Sequence, residues 1–372
     1  MKIKFLGGNH AIYQEMVKYP PKGITYTGVS KKTVDGKYYQ TKKLNSRISK
    51  IFQFLHLPRM FYIFNCKEPL IHSSRGIIIL NKKPWVMDIE HPSSFSGMNL
   101  RLIERSKLMR MIIKKKLESN YCNRVMFHCE ASLKRMEQLF DCKNIKNKME
   151  VLYPATHLFE LRKKKMGQKI IILSVLALFK EKGGVQVLEA FTRLEKEFKN
   201  IELWIKADVP EEYKKKYNSP NIKYFPYSTE ILSRENLLNK YYSQADIFLY
   251  PTFADTFGYS LIDAMLAKLP IVASDNFAIP EIVLNNKNGF LVHAPFSYAN
   301  ERYDNRCINL HEDYIDAMLA KMRILIRNPN LRLRMGEQGF NFVKNGKFSI
   351  KARNSKLKKI YLQALNNKKI KS

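Results

Sequence analysis

Between Ala245 and Val292 the chain reads ADIFLYPTFADTFGYSLIDAMLAKLPIVASDNFAIPEIVLNNKNGFLV. An apolar run, Ile247 to Tyr250, stops at Pro251. A short polar loop with Asp255 and Gly258 comes next, then a helical stretch near Ser260–Leu266 that ends before Lys268 and Pro270. A second apolar run, Ile271–Ser274, leads to Pro280-Glu281 and the turn at Asn288-Gly289. Strand, glycine-bearing loop, helix and strand in that order form one right-handed βαβ unit, with its loop at the carboxyl edge of a parallel sheet. Ligands of open α/β sheets bind at that edge. A helix that starts just past a glycine there offers free N–H groups and a positive dipole end to a phosphate.

The alternation extends over the rest of the chain. Strands are predicted at Lys2–Leu6, Tyr62–Asn65, Gly76–Asn81, Trp85–Ile89, Arg124–His128 and Glu150–Leu152 in the first half, with helices that include Ser46–Leu57 and Ser132–Phe140. The second half has Ile170–Val175, Ile201–Ile205, Ile222–Phe225 and Phe290–Val292 besides the two strands above. Helices at Gly184–Lys199, Arg234–Ser243, Ser260–Lys268 and Tyr314–Arg327 separate them, and Leu331–Lys344 and Ala352–Asn366 close the chain. Regular alternation predicts an α/β fold with parallel sheets. A chain of 372 residues suits two domains of about 150–200 residues. The expected division is 1–160, 169–350 and a C-terminal helix with basic tail at 351–372, with the polar stretch His157–Gly167 as linker.

Lys182 stands in LSVLALFKEKGGVQVLEAF, where a strand gives way to a loop and Gly183-Gly184 opens a helix. A lysine beside such a helix end suits a diphosphate whose negative charge must be neutralised; a solvated lysine near a helix cap is the plain alternative. Asp255 and Asp263, eight positions apart, are paired carboxylates flanking Phe257, Gly258, Tyr259 and Ser260. Taken singly, Asp255 reads as a turn aspartate and Asp263 as an acid near a helix start. In the first half, Glu90 and His91 follow the strand Trp85–Ile89 into a polar loop, and Gly7 and Gly8 follow the first strand.

The segment Asp255, Thr256-Phe257-Gly258 and Asp263, with Glu181-Lys182-Gly183 upstream, resembles the donor-binding signature of retaining GT-B glycosyltransferases of family 4. Those enzymes usually carry glutamate at both acidic positions, glycine where Thr256 stands, and an arginine where this chain has Ala177. Each carboxylate here reaches about 1.5 Å less far, one carbon–carbon bond. Lys180 or Lys206 are candidates to supply the missing cation.

The resemblance implies two Rossmann-like domains facing across a cleft, with the last helix crossing back to the first. It implies transfer of a sugar from a nucleotide-sugar, UDP- or GDP-linked, to a hydroxyl acceptor such as a glycan, a glycolipid or a polyprenyl-linked sugar. Configuration would be retained, without metal or other cofactor. Lys182, Asp255, His91 and Glu90 are the implied catalytic residues. Donor binding falls to Lys182, Gly183, Asp255, Phe257, Gly258, Tyr259, Ser260, Asp263, Gly7 and Gly8, with Asp263 on the ribose diol and Asp255 on the transferred sugar. Cys129-Glu130, Pro280-Glu281 and Asn288-Gly289 match the family pattern as chain turns, and Tyr227 and Ser228 would flank the base.

Five cysteines with irregular spacing and no CxxC pair predict free thiols rather than disulfides or a zinc site. No run reaches the roughly 18–20 apolar residues of a membrane span. The start, MKIKFLGGNH, is too briefly apolar for a signal peptide, so a cytoplasmic protein is expected. The net charge of +32 implies attraction to a polyanion, either nucleic acid or an anionic membrane face. Two alternatives accompany the glycosyltransferase: a basic nucleic-acid-binding protein on a Rossmann frame, and a catalytically weak GT-B relative. Basic residues are spread rather than gathered with aromatics, which disfavours nucleic acid. The basic stretch Arg101–Leu117, with Leu102, Met109, Ile113 and Leu117 on one face, is read as a core-packed helix, a peripheral contact for the inner membrane face, or a phosphate-acceptor groove.

Overall fold

A run as apolar as Ile170–Leu176 belongs inside a sheet covered on both faces, and the computed structural model places it so. It describes residues 1–7, 10–28, 51, 52, 54–161, 169–230, 232–296 and 305–369. Two units are formed, one of residues 1–157 with 347–372 and one of residues 158–346.

In the second unit, β9 (Ile170–Leu176), β10 (Ile201–Ala207), β11 (Ile222–Phe225), β12 (Ile247–Tyr250), β13 (Ile271–Ser274) and β14 (Gly289–Val292) make one six-stranded sheet. Every pairing is parallel, in the order β11-β10-β9-β12-β13-β14. The order reverses between β9 and β12. In a doubly wound sheet the loops leaving the two strands at that switch point diverge to opposite faces and open a crevice at their carboxyl ends. The helices Gly184–Glu197 and Tyr259–Leu266 follow β9 and β12, and Glu312–Arg327 and Pro329–Lys344 pack further along the sheet. Strand expectations for this half hold to within two residues. The helix expected at Arg234–Ser243 ends at Lys240 and continues as a 3-10 turn, Tyr242–Gln244.

In the first unit, β1 (Lys2–Leu6), β2 (Thr25–Thr27), β4 (Ile71–Ser73), β6 (Trp85–Ile89), β7 (Cys122–Phe127) and β8 (Met149–Val151) form a second parallel sheet, ordered β2-β1-β4-β6-β7-β8. Two-residue strands β3 (Met60–Phe61) and β5 (Ile78–Ile79) pair separately. They replace the longer strands expected at Tyr62–Asn65 and Gly76–Asn81. β2 and β4 had no sequence expectation. β4 reads Ile-His-Ser, without an apolar run, yet all three residues are buried because their polar groups are bonded: His72 to Asp88 and Tyr361, and Ser73 Oγ to the Ile77 carbonyl. Half of the helix expected at Ser46–Leu57 falls outside the described residues, with 51, 52 and 54 helical among the rest, and most of the linker His157–Gly167 falls outside them too.

The basic stretch splits at Ser106, which caps the second of two helices, Leu100–Arg105 and Lys107–Glu118. Leu100, Ile103, Met109, Ile113 and Leu117 enter the core, whereas Leu102 is only half-buried. The last helix, Ile350–Lys369, packs against β6 and β7 of the same unit. No described helix is long and apolar enough to cross a membrane, and the five cysteines are free thiols.

Candidate donor site at the switch point of the second sheet

The loops after β9 and β12 meet at the reversal of strand order. After β9 the backbone turns through Gly183, at φ +77°, into the helix Gly184–Glu197. A Cβ at Gly183 would stand 2.2 Å from the Pro251 carbonyl oxygen, so glycine is required by both conformation and the closeness of the two loops. The Phe253 amide donates to the Glu181 carbonyl at 3.0 Å and locks them together. After β12, Gly258 at φ +85° caps the helix Tyr259–Leu266. Two helix amino termini thus open at one edge, each started by a left-handed glycine and neither capped by its own glycine's absent side chain.

Lys182 and Asp255 come together there. Lys182 Nζ lies 2.8 Å from Asp255 Oδ2, and both side chains are mostly buried. Oδ2 also accepts from the Tyr250 hydroxyl. Oδ1 accepts from the amides of Phe257 at 3.2 Å and Gly258 at 2.9 Å. Burial alone would raise the Asp255 pKa. The Lys182 charge and hydrogen bond, the Tyr250 hydroxyl and the Phe257 amide outweigh it and hold the carboxyl below its ordinary value. The Lys182 ammonium also sits 5.6 Å from the centre of the Tyr250 ring. Burial, followed by the Asp255 charge, raises the Tyr250 pKa well above its ordinary value, so the phenol keeps its proton and acts as a donor.

Asp263, one turn further on and buried, accepts from Arg234 Nε at 2.8 Å and Nη2 at 2.5 Å. The Arg234 guanidinium lies 4.6 Å from the centre of the Tyr259 ring and 5.1 Å from that of Phe159. Lys206, named as a substitute cation, is buried and committed to the Pro226 carbonyl at 2.8 Å and Glu230 at 2.6 Å. Lys180 and Ala177 are exposed. The amides of Tyr227 and Ser228 donate to Asp208 Oδ1 at 2.9 and 3.0 Å.

In the first unit, His91 is 2% exposed and caps the turn Pro92–Ser96, its Nδ1 within 2.8 Å of Ser93 Oγ. Burial, with a smaller contribution from the Arg135 charge, lowers its pKa to about 4. The ring is neutral at pH 7. Glu90 pairs with Arg75 at 3.6 Å. Gly7 ends β1 where a Cβ would overlap the Phe5 ring, and Gly8 lies outside the described residues. Cys129 caps the helix Glu130–Leu139, and Pro280-Glu281 lies in a one-turn helix, Ile279–Ile282.

Residues 159–300, which contain the whole β9–β12 site, match the family described as Glycosyl transferases group 1. Anabaena HepE, solved with UDP and glucose, is similar at TM-score 0.62 and 12% identity, over 97% of this chain and 99% of that one. Sucrose-phosphate synthase from Thermosynechococcus elongatus gives 0.66 and 14%, over 98% of each chain. The fold is GT-B. An uncharacterized glycosyltransferase of Haemophilus influenzae is 26% identical over 271 residues, covering 72% of this chain and 67% of the relative. WaaG, a glycosyltransferase involved in lipopolysaccharide biosynthesis, shares the GT-B fold at TM-score 0.59 and 12% identity, over 95% of this chain and 99% of that one.

Tyr250 and Arg234 were not singled out from the sequence. Tyr250 reads as the fourth apolar residue of Ile-Phe-Leu-Tyr. A hydroxyl at the carboxyl end of a switch-point strand was the available signal. Arg234 follows the helix cap Ser233, and no spacing rule ties it to Asp263, 29 residues on.

Proposed function

We propose that the protein is a retaining glycosyltransferase of family 4 type that moves a sugar from a nucleoside diphosphate to a hydroxyl acceptor. The observation that carries this is the meeting of Lys182, Asp255 and two glycine-started helices at the switch point, inside the segment that matches the glycosyltransferase group. A diphosphate placed against those helix ends meets amide dipoles and the Lys182 ammonium, so charge that grows as the glycosidic bond breaks is neutralised without a metal. In the proposed reaction the bond from the anomeric carbon to the diphosphate oxygen breaks. The acceptor oxygen bonds that carbon on the same face, and its proton passes to the departing diphosphate. No side-chain nucleophile is needed.

Asp263 is proposed to face the ribose diol, with its carboxylate oriented by Arg234. His91 and Glu90 are proposed to stand on the acceptor side and position the sugar, His91 as a buried, neutral imidazole. UDP is the first donor nucleotide to test, since HepE was solved with it. A glycolipid or polyprenyl-linked acceptor at an anionic membrane face accords with the +32 charge.

A thermal-shift panel of UDP-, GDP- and ADP-sugars against oligonucleotides, at low and high salt, tests the assignment. Selective, salt-tolerant stabilisation by one donor is the expected result. Stabilisation by oligonucleotide alone, lost in salt, would instead support the nucleic-acid alternative. Chelation with EDTA is expected to leave the donor's effect unchanged.

A further inference from the structure

We propose that Tyr250 is a positioning residue of the donor site, acting through Asp255 to hold the Lys182 ammonium where a diphosphate meets it. This rests on the glycosyltransferase assignment and reassigns Asp255 from a sugar contact to an internal anchor.

The count of donors carries the inference. A carboxylate offers about four lone-pair positions. Asp255 fills them with Lys182 Nζ and the Tyr250 hydroxyl on Oδ2, and with the Phe257 and Gly258 amides on Oδ1. No acceptor position is left for a sugar hydroxyl while these bonds stand. The two amide bonds run to the second and third residues onward, the turn that aspartate closes most readily. A glutamate would carry its carboxylate one bond further, past its own loop. The shorter side chain at this position therefore suits an anchor.

Lys182 has three N–H donors. With one directed to Asp255, two remain for phosphate oxygens, and the ammonium keeps a fixed direction rather than sampling the rotamers of a free lysine. Tyr250 fixes the other end of the relay. It is 2% exposed, stacks on Phe248 with ring centres 5.7 Å apart, and lies under the Lys182 charge. Its hydroxyl is thus rigid, and so is the carboxylate it grips.

The test compares nucleoside diphosphates with monophosphates, which needs no acceptor. Calorimetric Kd values are measured for UDP, GDP and ADP and for the matching monophosphates. The proteins are the unaltered chain, Tyr250→Phe, Asp255→Asn and the double variant, with melting curves to confirm folding. In the unaltered chain the preferred diphosphate is expected to bind more tightly than its monophosphate. Tyr250→Phe is expected to erode that preference about tenfold, typical of a lost hydrogen bond to a charged group, while leaving monophosphate affinity in place. The double variant is expected to be no worse than Asp255→Asn alone, because Tyr250 acts only through Asp255. Asp255→Glu is expected to weaken diphosphate binding as well.

Additive losses in the double variant, or equal losses for mono- and diphosphate, would overturn the relay while leaving the glycosyltransferase assignment intact. Tighter diphosphate or donor binding by Asp255→Glu would overturn the anchor role and restore the sugar-contact role. Failure of the unaltered chain to bind any of the three diphosphates would overturn the glycosyltransferase assignment, and the relay with it.

Discussion

At the scale of single residues, burial decides which ionisable groups are fixed in charge. His91 is held neutral inside the first unit, with a pKa of about 4 against an ordinary value near 6.5. The unfolded chain takes up a proton between these values and the folded chain does not. The His91 contribution to stability is therefore complete above about pH 6.5 and is lost as pH falls toward 4, by about 3 kcal/mol in all. Asp88 acts lower on the scale. Burial would raise its pKa, but hydrogen bonds from His128 and His72 and their charges hold it well below the carboxylate range. Its contribution is present above about pH 3.9 and is lost as pH falls below that. Urea unfolding from pH 7 to pH 4 is expected to show stability falling across the window, with a flatter slope for His91→Gln. Identical slopes for the two proteins would contradict a buried neutral His91.

At the scale of elements, what could be read from the sequence depended on how each element is covered. β9, β10, β12 and β13 lie inside the sheet and are largely buried on both faces, so their apolar residues predicted them closely. β4 escaped because it buries His72, whose partners Asp88 and Tyr361 lie 16 and 289 residues away, beside Ser73, which bonds the Ile77 carbonyl. Spacing alone cannot reveal such pairs. The same holds in the candidate site: Lys182, Gly183, Asp255 and Gly258 were legible from loop position, whereas Arg234 and Tyr250 needed three-dimensional neighbours. The glycines allow a graded prediction. Gly183→Ala adds a Cβ against backbone at a positive φ and is expected to cost about 2–4 kcal/mol. Gly258→Ala meets first the movable tip of Leu261, 2.9 Å away, and is expected to cost about 1–2 kcal/mol. Thermal unfolding of the full chain checks the order; equal shifts would contradict the close approach of the Gly183 and Pro251 loops.

At the scale of the whole molecule, the charge of +32 outlasts the individual ion pairs. Lys114 is occupied by Asp141 at 2.7 Å, and Arg110 donates to the Ile103 carbonyl at 2.7 Å. The helix Lys107–Glu118 buries Met109, Ile113 and Leu117 and leaves Leu108 and Met111 exposed among its basic residues. Each basic residue near an anionic surface contributes about 1 kcal/mol. Co-sedimentation with anionic vesicles is expected at low salt, and release when the screening length of about 8–10 Å is shortened. Binding indifferent to lipid charge or to salt would contradict it.

The most direct measurement for the glycosyltransferase assignment is mass spectrometry of the purified protein incubated with mixed UDP-, GDP- and ADP-sugars and a cell extract as the source of acceptors. One donor is expected to disappear, with its nucleoside diphosphate and an acceptor heavier by one glycosyl residue appearing together. Folded Lys182→Ala is expected to slow this by about 10²–10³, as for other groups that meet developing charge. Consumption of no nucleotide-sugar by the unaltered protein, or undiminished turnover by Lys182→Ala, would contradict the account.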